Sequence, residues 1–592
     1  MNIIAMSKVF GLLRAIINTD TPTVPTIAER NQKKAFPEGV KIIKPLERST
    51  PYDEGISSEA CKRYIEKLYA DKSVNIQNLM IIKNSKVIYE CSFGGQRLNI
   101  WKNTYSECKS IVSLTIGMMC DEKILTLDDK IVTIFGKKIP AIAWVKLKDL
   151  TVRHLLTMTS TILFNEAESI ITEDWQKAFF NSTTSGTMGK TFNYNSLNTY
   201  ILSCIIKELT GQGISEYLRP RLFEPLGIKY YYWEKCHLGV EKGGWGLYIL
   251  PEDMAKIGVM VMQGGIFNGK RIISKSWIEE STSLKIKTPV ELCKFDYAYQ
   301  IWVGRVKKAP CFLFNGMLGQ NLIGFWRKKL IVVVNASNGD IFQDNNFFKY
   351  TYAFEEECEL DSGKEDRKSD RVLQKSLEKY SGAPFFLYYN ERKKYESVEK
   401  YIEKYFKPFI DLGEISPVSG AEAVGLFPSM LQVIQNSYSS GTYYVKFEID
   451  DENKLYLCYY EYAVTYKVCF GLHEYVENRL ILGKDQYIAL AEGSFSTDED
   501  GRRVLKIYIS FPETPFERLI KFFINHDGTV MAEYCEAPAD RLVVTGINVV
   551  NDFVKSKPLI NSAINLMDND YIDIKAERIF EPRIKFEKLV KK

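Results

Sequence analysis

Residues 105–123 read Tyr-Ser-Glu-Cys-Lys-Ser-Ile-Val-Ser-Leu-Thr-Ile-Gly-Met-Met-Cys-Asp-Glu-Lys, a polar loop entering the most apolar helical run of the chain. Ile111, Val112, Leu114, Ile116, Met118 and Met119 leave no polar face on that helix. A helix that is apolar almost all round is a buried one. Ser106 falls in its first turn, and Lys109 lies three residues on, over the same face. Burial disfavours a charged ammonium, and the positive end of a helix disfavours it further. A lysine that is uncharged part of the time can take the serine proton and turn a weak nucleophile into a useful one. The Ser-x-x-Lys pattern recurs at Ser376 and Ser397, in stretches crowded with Lys and Glu. A lysine there would be solvated and protonated, so those two read as exposed helical faces.

A chain of 592 residues exceeds one hydrophobic core, so two or more domains are expected. Apolar content of 45%, charge of 26% and a net charge of +4 belong to a soluble globular protein. No basic cluster interleaved with aromatics points to nucleic acid as a partner. Twelve cysteines without C-x-x-C spacing argue against a zinc site and for buried thiols. Buried thiols suit the cytoplasm. The four histidines, His154, His237, His473 and His526, are too dispersed for a zinc hydrolase. No metal and no cofactor are therefore expected. His154, beside Leu155 and Leu156, reads as a helix-packing residue. The N-terminal twenty residues carry Lys8 and Arg14 within a mildly apolar run. They suggest a short amphipathic helix rather than a signal peptide, and no run is long enough to span a bilayer.

Residues 1–50 form a lead-in, of which 20–50 read as extended and surface-bound. From 51 to 360 comes a mixed domain. It opens with a helix over 57–70, then two strands (78–82 and 86–93) joined by Lys83-Asn84-Ser85, then the buried helix. Phe192-Asn-Tyr194-Asn-Ser196 leads into a helix over 198–210, ended by Gly211. Strand-like runs follow at 297–303, 311–314, 322–325 and 330–336. Residues 361–376 are charged and linker-like, and helical Lys/Glu-rich stretches fill the rest of 361–420. From 421 to 592 the pattern is β-rich, with seven short strands separated by turn signals such as His526-Asp-Gly528. Such a meander closes as a sandwich or a barrel. The fold class is α+β: an antiparallel sheet flanked by helices plus an all-helical subdomain, followed by the β-rich domain.

Ser106-x-x-Lys109, Tyr194-x-Ser196 and Gly316-x-x-Gly319-Gln320 occur in this order. Lys123-Ile-Leu-Thr-Leu-Asp-Asp129, the 154–160 stretch, Pro225-Leu-Gly-Ile228 and Gly243-Gly-Trp-Gly246 accompany them. With these, the first 360 or so residues resemble the serine β-lactamase/penicillin-binding-protein family, in its class C-like serine hydrolase and esterase branch. The C-terminal part resembles the β-rich extension found behind this domain in some bacterial proteins.

The resemblance implies that Ser106 is the nucleophile, Lys109 its proton partner and Tyr194 the group that passes the proton to the leaving group. It implies an oxyanion hole from the amides of Ser106 and Met317. Ser196 stands where the family often has Asn, which shortens the side chain and removes a carbonyl acceptor. Phe314-Asn315-Gly316 stands where the family usually has Lys-Thr-Gly or His-x-Gly. Phe314 supplies no cation for a substrate carboxylate, which penicillins, cephalosporins and D-Ala-D-Ala peptides all carry. Asn315, Gly316, Gly319, Gln320, Trp175 and Trp245 complete the expected substrate cleft, with Gly316 letting substrate approach the strand backbone. The expected activity is hydrolysis of an ester or amide through a Ser106 acyl-enzyme. A β-lactamase or D-amino-acid peptidase of the same family is one alternative. A catalytically idle ligand-binding or regulatory protein is another, disfavoured because an idle descendant has no physical reason to keep a lysine in an apolar helix. The expected partner is a small ester, amide or lactam; oligomeric state stays open.

Overall fold

The computed structural model describes residues 31–589 except 72, 165–168, 170–171, 292, 340–342, 344, 362–366, 379–397, 419–423, 436–438, 440, 463, 473 and 539–581. The expected N-terminal amphipathic helix and Ser397 lie outside the described residues. Two compact units divide the chain: Pro37–Ala383 with Glu29–Asn31, and Pro384–Lys592 with Met1–Ala28 and Gln32–Phe36.

In the first unit, helix α1 (Ser58–Ala70) is capped by Ser57, whose hydroxyl accepts from Ala60 N at 3.0 Å. Strands β1 (Ile76–Lys83) and β2 (Lys86–Ser92) form the expected hairpin. Its turn residues Asn84 and Ser85 stand at φ 51° and 70°, the left-handed pair that matches strand twist in a two-residue loop. Next come β3 (Lys102–Asn103), helix α2 (Lys109–Asp121), and the short helices α3 (Ala141–Leu147) and α4 (Val152–Leu156). Helix α5 (Ser196–Thr210) ends at Gly211, φ 72°. Strands β4 (Tyr231–Trp233) and β5 (Leu247–Ile249) join β3 in a small sheet of order β3-β5-β4. Helix α6 (Pro251–Met262) precedes the two-residue strands β6 (Ile266–Phe267) and β7 (Lys270–Arg271).

The main sheet adds β8 (Phe295–Tyr297), β9 (Trp302–Gly304), β10 (Cys311–Gly316), β11 (Gln320–Phe325) and β12 (Leu330–Ala336). It is antiparallel throughout, in the order β2-β1-β12-β11-β10-β9-β8. The run 297–303, read from the sequence as one strand-like stretch, is instead the hairpin β8–β9. Gln300 at φ 57° reverses the chain there. One face of the sheet carries Phe314, Leu322, Val333 and Met80 in register. It lies under α6, where Gly258 leaves room for the Leu322 side chain. On the other face Phe325 meets Tyr352 of α7 (Phe347–Glu357), and α7 stacks on α1 through Tyr64 and Phe354 at 4.6 Å. Both faces are covered, so these strands read as continuous apolar runs rather than alternating ones.

The charged stretch after 361 is not all linker. Residues Arg367–Leu377 form helix α8, with Leu373 buried and Asp370 accepting from Ser58 Oγ at 2.5 Å. The hydroxyl of Ser376 donates to the Leu373 carbonyl within this helix.

The second unit is a nine-stranded β-barrel. The unit's strands, nine in the ring and β17 beside it, are β13 (Ile415–Pro417), β14 (Thr442–Ile449), β15 (Leu455–Glu461), β16 (Thr465–Leu472), β17 (Val476–Leu482), β18 (Asp485–Thr497), β19 (Arg503–Ser510), β20 (Glu517–Ile524), β21 (Val530–Ala537) and β22 (Arg583–Lys588). The ladder runs from β18 through β22 to β13 and on to β16. Parallel pairing of Gly471 and Leu472 with Glu492 and Gly493 closes the ring. Strand β17 sits outside the count, paired to the first half of β18. Sequence patterning missed β13, β17 and β22, which are respectively very short, polar and separated from β21 in the chain. The barrel holds a buried ion pair, Arg518–Glu536 at 2.9 Å. Arg518 also donates to the carbonyls of Gly425 and Phe427, and Glu536 accepts from the amides of Ser429 and Met430, which pins that segment to the strands. The lead-in is not wholly surface-bound either. Lys33 is buried, 2.6 Å from Glu513, and its amide donates to Asp485.

A methyl group on Gly117, within α2, would stand 2.3 Å from the Trp277 indole. Gly117→Ala should therefore lower stability by about 1–3 kcal/mol, as overpacking does. Helix propensity alone would raise it by about 1 kcal/mol. The urea unfolding midpoint decides the sign.

Candidate active site

The turn that carries Ser106 is held from both sides. Lys102–Asn103 pairs with Tyr248 and Ile249, and the amide and hydroxyl of Thr104 both donate to the Leu247 carbonyl, at 2.8 and 2.9 Å. Tyr105 then stands at φ 45°, a sparsely populated conformation for a bulky residue. Asn103 Oδ1 accepts from the Tyr105 amide at 3.1 Å and secures that conformation. Tyr105 to Cys108 form one 3-10 turn, and the α-helix proper starts at Lys109. Every residue from Lys109 to Met119 is buried, as the apolar composition required.

Lys109 Nζ lies 2.7 Å from Ser106 Oγ, 2.8 Å from Ser196 Oγ and 2.7 Å from the carbonyl oxygen of Gly244. The lysine is 1% exposed, whereas Ser106 is partly open to solvent. Ser196 does reach Lys109, its hydroxyl accepting from the amine despite the short side chain, and Gly244 supplies the carbonyl acceptor that a serine side chain does not have. Gly243 and Gly244 are thus residues that sequence reasoning passed over as mere accompaniment. A methyl on Gly244 would stand 2.7 Å from the Ser196 carbonyl, so only glycine lets this loop come so close. Cys108 ties the same loop to the Ser106 turn, its thiol 3.0 Å from the Tyr105 carbonyl and 3.1 Å from that of Gly243. Burial pushes this thiol up to about 12, which suits a strut and not a nucleophile. Glu107 is also buried, and desolvation raises its carboxyl well above the usual range.

Tyr194 presents its ring to Lys109, with Nζ 5.0 Å from the ring centroid. Trp302 stacks on the same ring at 5.6 Å, and Tyr297 meets it edge-on at 6.2 Å. Asn195 caps α5 by accepting from the Leu197 amide, and its amide group donates to the carbonyls of Ile162 and Phe164. These contacts fix the start of the helix on which Ser196 rides. Gln300 joins the elements below. Its carbonyl accepts from Ser110, its side-chain oxygen accepts from Thr199, and its side-chain nitrogen donates to Leu155 and Leu156. Neither Gln300 nor Trp302 carries a motif signal; the one hint was a glutamine and a tryptophan inside an otherwise apolar run.

The third motif differs from expectation. Phe314 is buried in the core beneath α6, its ring packed into the domain interior. A side chain on Gly316 would collide with the Thr104 carbonyl at 2.2 Å, so its bareness serves the chain's own packing. The turn Met317–Gly319 packs against the turn that holds Ser106, and Met317 is partly exposed there. Asn315 is buried and donates to Asn321. Gln320 is buried, donates to the Ala336 carbonyl and accepts from Asn335. Gly319, at φ 89°, lies against Asn338. Trp175 is a core residue whose indole donates to the carbonyls of Ser169 and Thr172. It stacks at 5.4 Å on Trp245, which is half-buried and follows Gly244. Asn315, Gly316, Gly319, Gln320 and Trp175 are each held by contacts within the domain. His154 packs as expected, accepting from the Thr151 amide at the start of α4. Among the described residues no cluster of side chains could hold a metal ion, and no helix is long and apolar enough to cross a membrane.

An antiparallel sheet with helices on both faces and a Ser-Lys pair at the mouth of a buried helix defines a domain of the β-lactamase/transpeptidase type. Residues 62–352 match the Beta-lactamase family model, and this domain belongs to that family. An uncharacterized protein of Alkalihalophilus pseudofirmus is 24% identical over 196 residues, 30% of this chain and 53% of that protein. The 6-aminohexanoate-dimer hydrolase of Paenarthrobacter ureafaciens is 29% identical over 93 residues, 15% of this chain and 23% of that enzyme. The chain thus spans about half of the one curated relative and about a quarter of the other. Among solved structures, the octameric penicillin-binding protein homologue from Pyrococcus abyssi is 18% identical, with a TM-score of 0.39, over 80% of this chain and 97% of that one.

Gly244→Ala should push the Gly244 carbonyl away from Lys109 and tilt the amine off Ser106. Misplacement on that scale costs up to about 100-fold in rate. The expected result is a fall of roughly that size in kcat/KM for a p-nitrophenyl ester, with thermal unfolding confirming that the variant is folded.

Proposed function

We propose that this domain hydrolyses an ester or amide through an acyl-enzyme on Ser106, with Lys109 and Tyr194 moving the protons. The observation that carries the proposal is the 2.7 Å contact between the buried Lys109 amine and the partly exposed Ser106 hydroxyl. An uncharged amine donates one hydrogen to the Gly244 carbonyl and another to Ser196. Its lone pair is then left pointing at the Ser106 proton. As Oγ attacks the carbonyl carbon, the proton passes to Lys109. The amides of Ser106 and Met317, on adjoining turns, stabilise the charge that develops on the oxygen. Tyr194, whose ring faces the amine, relays the proton to the departing alcohol or amine. Water then attacks the acyl carbon along the same path in reverse.

The substrate reading follows from Phe314. Because that side chain is core, the site offers no cation there for a carboxylate, which favours neutral esters and amides over β-lactams. The name of the Paenarthrobacter enzyme, a hydrolase of the dimer of an amino acid, supports the amide half of this reading.

Hydrolysis of a short p-nitrophenyl ester, nitrocefin and a small anilide, measured side by side, tests it. The ester should turn over fastest. Lys109→Ala should lower kcat by about 100- to 10,000-fold, the usual worth of a positioned proton carrier. Ser106→Ala should abolish turnover. Faster cleavage of nitrocefin than of the ester would overturn the substrate assignment, and activity surviving in Ser106→Ala would overturn the mechanism.

A further inference from the structure

Helix α3 turns its apolar side outward. Ala143 and Leu147 face the core, but Ile142 is 90% exposed, Val145 70% and Trp144 48%. An exposed apolar cluster of this kind marks a surface that meets something less polar than water. The residues around it have one sign. From 136 to 148 the chain reads Gly-Lys-Lys-Ile-Pro-Ala-Ile-Ala-Trp-Val-Lys-Leu-Lys, with four lysines and no acidic residue. Lys138 is paired with Glu208, and the charge of Asp149 is met by Lys130 at 3.2 Å. Lys146 donates to the carbonyls of Phe180 and Ser182, which leaves its charge uncompensated. Among the described residues, Lys137, Lys146 and Lys148 form no ion pair.

We propose that this face docks on an anionic lipid bilayer. Ile142 and Val145 enter the boundary between headgroups and acyl chains. Trp144 sits at the interface, where an aromatic ring with one polar edge is favoured, and the lysines meet lipid phosphates and carboxylates. A short apolar insertion and a basic rim are each weak alone and add on the same surface. The charge pattern also selects against a second copy of this chain. A two-fold contact would set lysine-rimmed patches against each other, and like charges there repel. The inference is independent of the chemistry at Ser106.

Sedimentation of the full-length protein with vesicles tests this. Vesicles of phosphatidylcholine alone are compared with vesicles of phosphatidylcholine and phosphatidylserine, at low and at high salt. The protein should pellet with the phosphatidylserine vesicles, less so at high salt. Ile142→Glu with Val145→Glu, and separately Lys137→Glu with Lys148→Glu, should each lower the partition coefficient about tenfold or more. All four positions are on the surface, and the circular dichroism spectrum should be unchanged. No pelleting of the wild type with phosphatidylserine vesicles, or equal pelleting of the variants, would overturn the proposal. So would a wild-type dimer in sedimentation velocity that Ile142→Glu with Val145→Glu converts to monomer, because the face would then belong to a second copy.

Discussion

One buried amine with three short contacts organises this domain. Lys109 Nζ touches Ser106, Ser196 and the Gly244 carbonyl, each on a different element. The Ser106 turn, the start of α5 and the loop before β5 must all come to one point. Much of the surrounding structure exists to bring them there. The pairing of β3 with β5 joins the chain before Ser106 to the chain after Gly246. Glycines 243 and 244 let the loop touch α5. Cys108 straps the loop to the turn, and Gln300 ties α2, α4 and α5 from beneath.

The proposed chemistry depends on the setting of this pair. A lysine with its head in water would be a solvated cation and no base. Here the whole of α2 up to Met119 is inside the protein, and only the serine at its mouth reaches solvent. The aromatic ring of Tyr194 is held between Lys109 and Trp302.

The parts legible in the sequence were those written in local pattern. The all-apolar run of α2, the hairpin at Asn84-Ser85, the α5 helix stop at Gly211 and the strand runs of the main sheet each follow from residue periodicity or turn chemistry. Lys109 Nζ touches Ser106 and faces the ring of Tyr194, the three residues the family resemblance pointed to. What failed was tertiary. Whether Gln320, Asn315 or Trp175 is buried depends on which face of a strand or helix is covered, and all three are buried and hydrogen-bonded within the domain. The 297–303 run became a hairpin because one glutamine adopts a left-handed conformation, which no propensity signals. The barrel was readable as closed β structure, but its closing contact, the parallel match of β16 to β18, joins segments with no shared pattern.

The most direct test of this arrangement is covalent. The protein is treated with a fluorophosphonate and the adduct is followed by intact mass and peptide mapping. One adduct should form, on Ser106, and its rate should fall sharply in Lys109→Ala while the protein stays folded. An adduct on another residue, or an unchanged labelling rate without the Lys109 amine, would contradict the claim that this buried lysine activates that serine.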